Sequence, residues 1–202
     1  MNWTRLTKEA WTSEIAKGDF DVFGTLKFID GRKVSEDTAT LLWGAYWHKI
    51  DRIVFGRATD KRLGVNRLCF DELGECETNR HLHFVAQAPI DTDVFCAMLN
   101  AVWEGFCVDA AALRFNEITP IRSKRDAGAY IVKETGSQNA RYAGLKCSHR
   151  NKDSLAYDGV SAEKVLNRLQ NKMYDRKLIA ALDVLRLQID AESKRSARRL
   201  VR

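Results

Sequence analysis

The chain has 202 residues, 45% hydrophobic and 30% charged, with only two prolines and a net charge of +6. That length suits one globular domain with at most a small appendage, and the composition excludes extensive disorder. No stretch nears the roughly eighteen apolar residues of a membrane span, and the five cysteines, odd in number and without a CxxC pair, argue against a disulfide framework or zinc knuckle and for a reducing cytoplasm.

Residues Met1 to Gly18 mix charged and apolar positions and lack the apolar block of a secretory signal. Asp21 to Phe28 reads as a strand, with Val22, Leu26 and Phe28 on one face. After a turn at Gly31, Ser35 is placed to cap a helix whose first turn carries Glu36 and Asp37. Trp43, Trp47, Ile50 and Val54 then recur at helical spacing, a stripe best explained by core packing.

Val65 to Glu72 and His81 to Gln87 alternate as strands, and the polar connector between them predicts a hairpin. Pro89 stops the second strand, and Asp91 caps a helix carrying Val94, Phe95, Met98, Leu99, Val102 and Phe106. Ala111 to Ile118 is a further strand, ended by Thr119-Pro120. Ser123-x-x-Asp126 resembles a capping box and opens a helix running to about Glu134, closed by Gly136. Residues 137–160 read as loop or linker. A final long helix starts near Ser161, with Leu178, Leu182, Leu185 and Ile189 along one stripe.

This order predicts an α+β fold: a mainly antiparallel central sheet flanked by helices, ferredoxin-like or RNA-recognition-like, with a C-terminal helical extension. The expected division is a domain over 1–150 and a basic helical extension over 151–202. Residues 161–202 hold 11 Lys/Arg against 5 Asp/Glu, whereas the rest balances at 22 each. The basic excess therefore sits in that extension, as a sequence-independent attraction to phosphates or a solvated helix face would place it.

His81 and His83 lie two apart in a strand, so their imidazoles share a face while Leu82 and Phe84 take the other. Two convergent imidazoles suit a divalent metal, and a hard cation such as Mg²⁺ or Mn²⁺ also wants a carboxylate. Asp71 and Glu72 end the neighbouring strand, and either can reach the histidines across a hairpin. Tyr130 and Lys133, three apart, share a helix face. A phenol can hold a phosphoryl group, a metal can polarise the phosphate, and a lysine can offset the developing charge.

With these parts in this order, the chain resembles the HUH rolling-circle replication initiators of the single-tyrosine type. Phe23-Gly24-Thr25-Leu26 resembles their first motif, His81-Leu82-His83 the HUH motif, and Ala129 to Glu134 the motif carrying the nucleophile. The resemblance spans about residues 20–135. It implies Tyr130 as nucleophile, Lys133 as phosphate partner, and His81, His83 and Glu72 as metal ligands, with Asp71 and Glu75 as alternatives to Glu72.

The implied activity is nicking of single-stranded DNA at an origin or origin hairpin. A 5′-phosphotyrosyl adduct and a free 3′-hydroxyl would form, and the strand could be rejoined. Thr25, Lys27, Arg122, Lys124 and Arg125 are candidate DNA contacts. No GxxxxGK[ST] occurs, so a separate helicase and a host polymerase are the implied partners, in the cytoplasm of a bacterial host.

No second tyrosine follows Tyr130 at three or four residues, and Tyr142 is read as distant and in a loop. The third histidine of relaxases is missing from the motif strand, since His48 and His149 lie elsewhere and are read as surface residues. A relaxase or single-strand transposase would share the chemistry. A non-catalytic nucleic-acid-binding module would instead expose aromatic residues on a sheet face.

Overall fold

The computed structural model describes residues 2–28, 34–73, 79–106, 117–133, 140–142, 147–152 and 157–172. Glu75, Glu134, Gly136 and the stripe Leu178 to Ile189 lie outside the described residues. Helix α1 covers Trp3–Lys17, strand β1 Val22–Lys27, α2 Glu36–Phe55, β2 Arg67–Glu72, β3 His81–Ala86 and α3 Thr92–Phe106. Strand β4 follows at Glu117–Pro120, α4 at Lys124–Ile131, β5 at Ala140–Tyr142 and α5 at Ala162–Lys172. The sheet runs β4-β1-β3-β2-β5, and all its pairings are antiparallel. The chain is therefore α+β, with helices on an antiparallel sheet. No helix among the described residues is long and apolar enough to cross a membrane.

Strand alternation divides the packing into two unequal layers. On one face Val22, Leu26, Cys69, Leu82, Phe84 and Ala86 pack with Trp43, Trp47 and Ile50 of α2, Phe95 and Leu99 of α3, and Val165 and Leu169 of α5. The tryptophan stripe is thus core: Trp43 is 1% exposed and Trp47 fully buried. On the other face Leu68, Phe70 and Val85 meet Ile15 of α1 and Ile131 and Val132 at the end of α4 in a smaller core.

The capping expectations hold locally. The Ser35 side chain accepts from Thr38 N–H, and Ser123 accepts from Asp126 N–H. The elements themselves depart from the sequence reading in several places. Helix α1, absent from that reading, is capped by Asn2 and turns only Ile15 fully inward, so its apolar periodicity is faint. Thr119 and Pro120 continue β4 rather than ending it, because β4 is an edge strand where a missing N–H costs no ladder bond. Within the expected 137–160 linker, Ala140 to Tyr142 form β5 against Phe70 to Glu72, so Tyr142 lies in a strand. Helix α4 stops at Ile131, and the Lys133 N–H bonds the Tyr130 carbonyl in the closing turn.

Candidate metal centre

The site grows out of strand register. Glu72 faces His81 across the β2–β3 pair, while Thr25 and Lys27 of β1 stand opposite His83 and His81. Alternation then puts Glu72, His81, His83 and Thr25 on the face covered by α1 and α4. All four are nearly buried, at 3%, 6%, 1% and 5% exposed. Leu82 and Phe84 point to the larger core, where the Phe84 ring stands edge-on to Trp47 at 5.0 Å.

The three polar groups converge. His81 Nε2 and His83 Nε2 are 3.1 Å apart, and the Glu72 carboxylate lies 3.2 Å from His83 Nε2 and 3.6 Å from His81 Nε2. One ligand atom from each residue falls within 4.8 Å of the others. The outer ring nitrogens have their own partners, since His81 Nδ1 donates to the Asn79 carbonyl at 2.7 Å and His83 Nδ1 meets Thr25 Oγ1 at 2.9 Å. With both protons on Nδ1, two imidazole lone pairs and a carboxylate oxygen point at one another. Glu72 Oε2 is buried with no hydrogen-bond partner. A divalent cation would satisfy all three, and orienting bonds from the outer nitrogens are the usual support for histidine ligands.

Ionisation favours the same arrangement. Burial, reinforced by the His83 charge, pushes His81 down to about 4, so its Nε2 lone pair is available at neutral pH. Burial alone would raise the Glu72 carboxyl, but His83, His81 and Lys133 together hold it below its ordinary value. Glu72 is therefore an anion in a buried site.

Its neighbour Asp71 faces the opposite way and pairs with buried Arg80. Of the two carboxylates ending β2, only Glu72 belongs to the cluster. The described residues hold no other group of three histidine, cysteine or carboxylate side chains able to grip an ion.

Tyr130 sits beside the cluster. Its ring stands edge-on to His83 at 5.3 Å and to Phe23 at 5.7 Å, and it remains 48% exposed. Lys133 Nζ lies 4.6 Å over the Tyr130 ring and 3.8 Å from Glu72 Oε1, so it links the phenol helix to the buried carboxylate. A cavity of about 720 Å³ opens next to Tyr130, lined by Phe23, Thr119, Arg122, Ser123 and Asp126 among others.

The candidate DNA contacts have different fates. Thr25 is buried on His83, and Lys124 Nζ is bound to the Gly18 carbonyl at 2.8 Å. Lys27 is half-buried opposite His81, whereas Arg122 and Arg125 are exposed. His48 is exposed, and half-buried His149 bonds Asn151 at 3.1 Å. Sequence reasoning missed Asn79, whose contribution is a backbone carbonyl, and the contact of the Thr25 hydroxyl with His83. Comparison with known proteins yields no match: no family model, curated protein or solved structure matches this chain.

Proposed function

We propose that this protein is a metal-dependent endonuclease that nicks single-stranded DNA at an origin through a Tyr130 phosphodiester intermediate, and can rejoin the strand. The observation that carries this reading is the Tyr130 ring set against His83, with Lys133 bridging Tyr130 and the buried Glu72. A buried two-histidine, one-carboxylate set beside a half-exposed phenol supplies an electrophile site and a nucleophile side by side.

Glu72, His81 and His83 would hold the cation, which on this reading is Mg²⁺ or Mn²⁺. When bound, it supplies Lewis-acid polarisation of the scissile phosphate. The Tyr130 hydroxyl oxygen attacks phosphorus, its proton passing to solvent at this exposed side chain. The bond to the 3′ oxygen breaks, that oxygen takes up a proton, and the 5′ phosphate stays esterified to Tyr130. Lys133 offsets negative charge on the phosphate oxygens while screening Glu72 from them. The reverse attack by a 3′-hydroxyl rejoins the strand. An origin strand or hairpin is the substrate, with a separate helicase and host polymerase as partners.

The sheet also argues for catalysis over passive base stacking. Both its faces carry buried apolar layers against helices, so the described residues offer no open aromatic platform. The test is a labelled single-stranded origin oligonucleotide with Mn²⁺. A covalent protein–DNA adduct is expected, absent in Tyr130→Phe and in metal-free protein. An adduct that persists in Tyr130→Phe overturns the nucleophile, and one that forms without metal overturns the metal role.

A further inference from the structure

Helix α1 lies directly on α4, and three separate attachments fix the tyrosine helix to it. At the start of α4, Lys124 Nζ donates to the carbonyl of Gly18, the residue that caps α1. Past its end, Lys8 Nζ of α1 donates to the Lys133 carbonyl. In the middle the two backbones touch through Gly128, which is buried. A Cβ built there would lie 3.2 Å from the Thr12 carbonyl oxygen, 3.3 Å from Thr12 Cα and 3.3 Å from Ile15 Cβ.

Two of those three neighbours are α1 backbone atoms, which cannot step aside as a side-chain tip can. Glycine inside a helix carries an intrinsic cost, so its presence calls for a packing reason, and this close approach is one. Helix α1 is itself anchored to the sheet that carries the metal cluster: Ile15 sits in the smaller core with Phe70 and Val85, and Trp11 stands edge-on to Phe70 at 5.3 Å. Phe70 pairs with His83 across β2 and β3.

We infer that Gly128 is a positioning residue, and that its close contact with α1 sets where Tyr130 and Lys133 stand relative to Glu72, His81 and His83. Even a methyl group at 128 requires the two helices to give by a few tenths of an ångström, and a larger side chain requires more. Tyr130, two residues on and therefore on the opposite side of α4, moves with it and loses its alignment beside His83. This rests on the proposed nicking reading for its consequence in catalysis, but the geometric part stands on the α1–α4 contact alone. A displacement near 1 Å is enough to cost about a hundredfold in rate when reacting groups must be aligned.

The experiment uses the full chain with 3-fluorotyrosine in place of tyrosine, and the resonance of residue 130 is assigned by its loss in Tyr130→Phe. Paramagnetic Mn²⁺ broadens that resonance according to its distance from the ion. Strong broadening is expected in the parent, and clearly altered broadening in Gly128→Val, with Mn²⁺ affinity by titration within about twofold of the parent. Adduct formation should fall tenfold or more in kcat, with KM for the oligonucleotide little changed, and Gly128→Ala should fall between. Should Gly128→Val fail to fold, as circular dichroism will show, Gly128→Ala and Lys124→Met carry the same comparison.

Unchanged broadening and unchanged kcat in a folded Gly128 variant overturn the inference. A parent that binds Mn²⁺ and shows the distance change but never forms an adduct overturns the nicking reading and leaves the positioning role intact. A parent that binds no Mn²⁺ overturns the metal site, and the inference with it.

Discussion

Asp71 and Glu72 are chemically alike and adjacent, yet strand alternation sends them to opposite faces and into different work. Glu72 joins two histidines, whereas Asp71 neutralises a buried arginine. Their substitutions should separate cleanly. Asp71→Ala leaves Arg80 buried beside a lost partner and should cost about 3 kcal/mol of stability, read by urea denaturation, with Mn²⁺ affinity unchanged. Glu72→Gln should instead lower Mn²⁺ affinity sharply, because a neutral amide replaces the anionic ligand. Thr25→Val keeps the shape but removes the oxygen beside His83 Nδ1. Such outer partners are worth roughly 10–100-fold in metal affinity, a loss that calorimetric titration of the variant would reveal. Equal affinity in Thr25→Val would show that the Thr25 contact does not orient the ring.

At the scale of elements, the β1–β3–β2 face holds the cluster because its opposite face is immobilised. Gly24 shows how tightly. A Cβ at that position would lie 2.1 Å from Phe84 Cζ, and the Phe84 ring is fully buried against Trp47. Gly24→Ala should therefore destabilise by about 1–3 kcal/mol through overpacking, seen as a lower denaturation midpoint at unchanged slope. A neutral outcome would mean that the ring turns aside freely. The hairpin and its ligand face were legible in the sequence, because a two-residue period fixes which side chains travel together. Helix α1 was not legible: its polar and apolar residues are mixed, and only Ile15 is fully buried. The one local sign of its contact was Gly128 inside a helix, which marks close approach without naming the partner.

Across the whole molecule, the larger core and the candidate metal cluster occupy opposite faces of one sheet. Most of the buried aromatic residues among those described lie in the layer with α2 and α3, while the cluster sits beside the smaller layer under α1 and α4. In the sequence, positive charge is in excess in the C-terminal segment: residues 190–202 carry five Lys/Arg and two Asp/Glu. Removing them should weaken single-strand binding and flatten its dependence on salt, because fewer counterions are released. Nicking by the truncated chain at low salt should survive. A salt dependence identical to that of the full chain would deny the tail any phosphate contact.

By itself the sequence determined the α+β order, the capped helices, and the pairing of His81 and His83 on one strand face. Each of these follows from short-range periodicity or local hydrogen bonding. Only the tertiary structure decided that Glu72 and not Asp71 completes the cluster, that Thr25 stands behind His83, and that α1 holds the Tyr130 helix in place. Those contacts join residues far apart in the chain, up to 125 positions between Lys8 and Lys133. No local pattern encodes such a distance; it is set by which elements the two cores bring together.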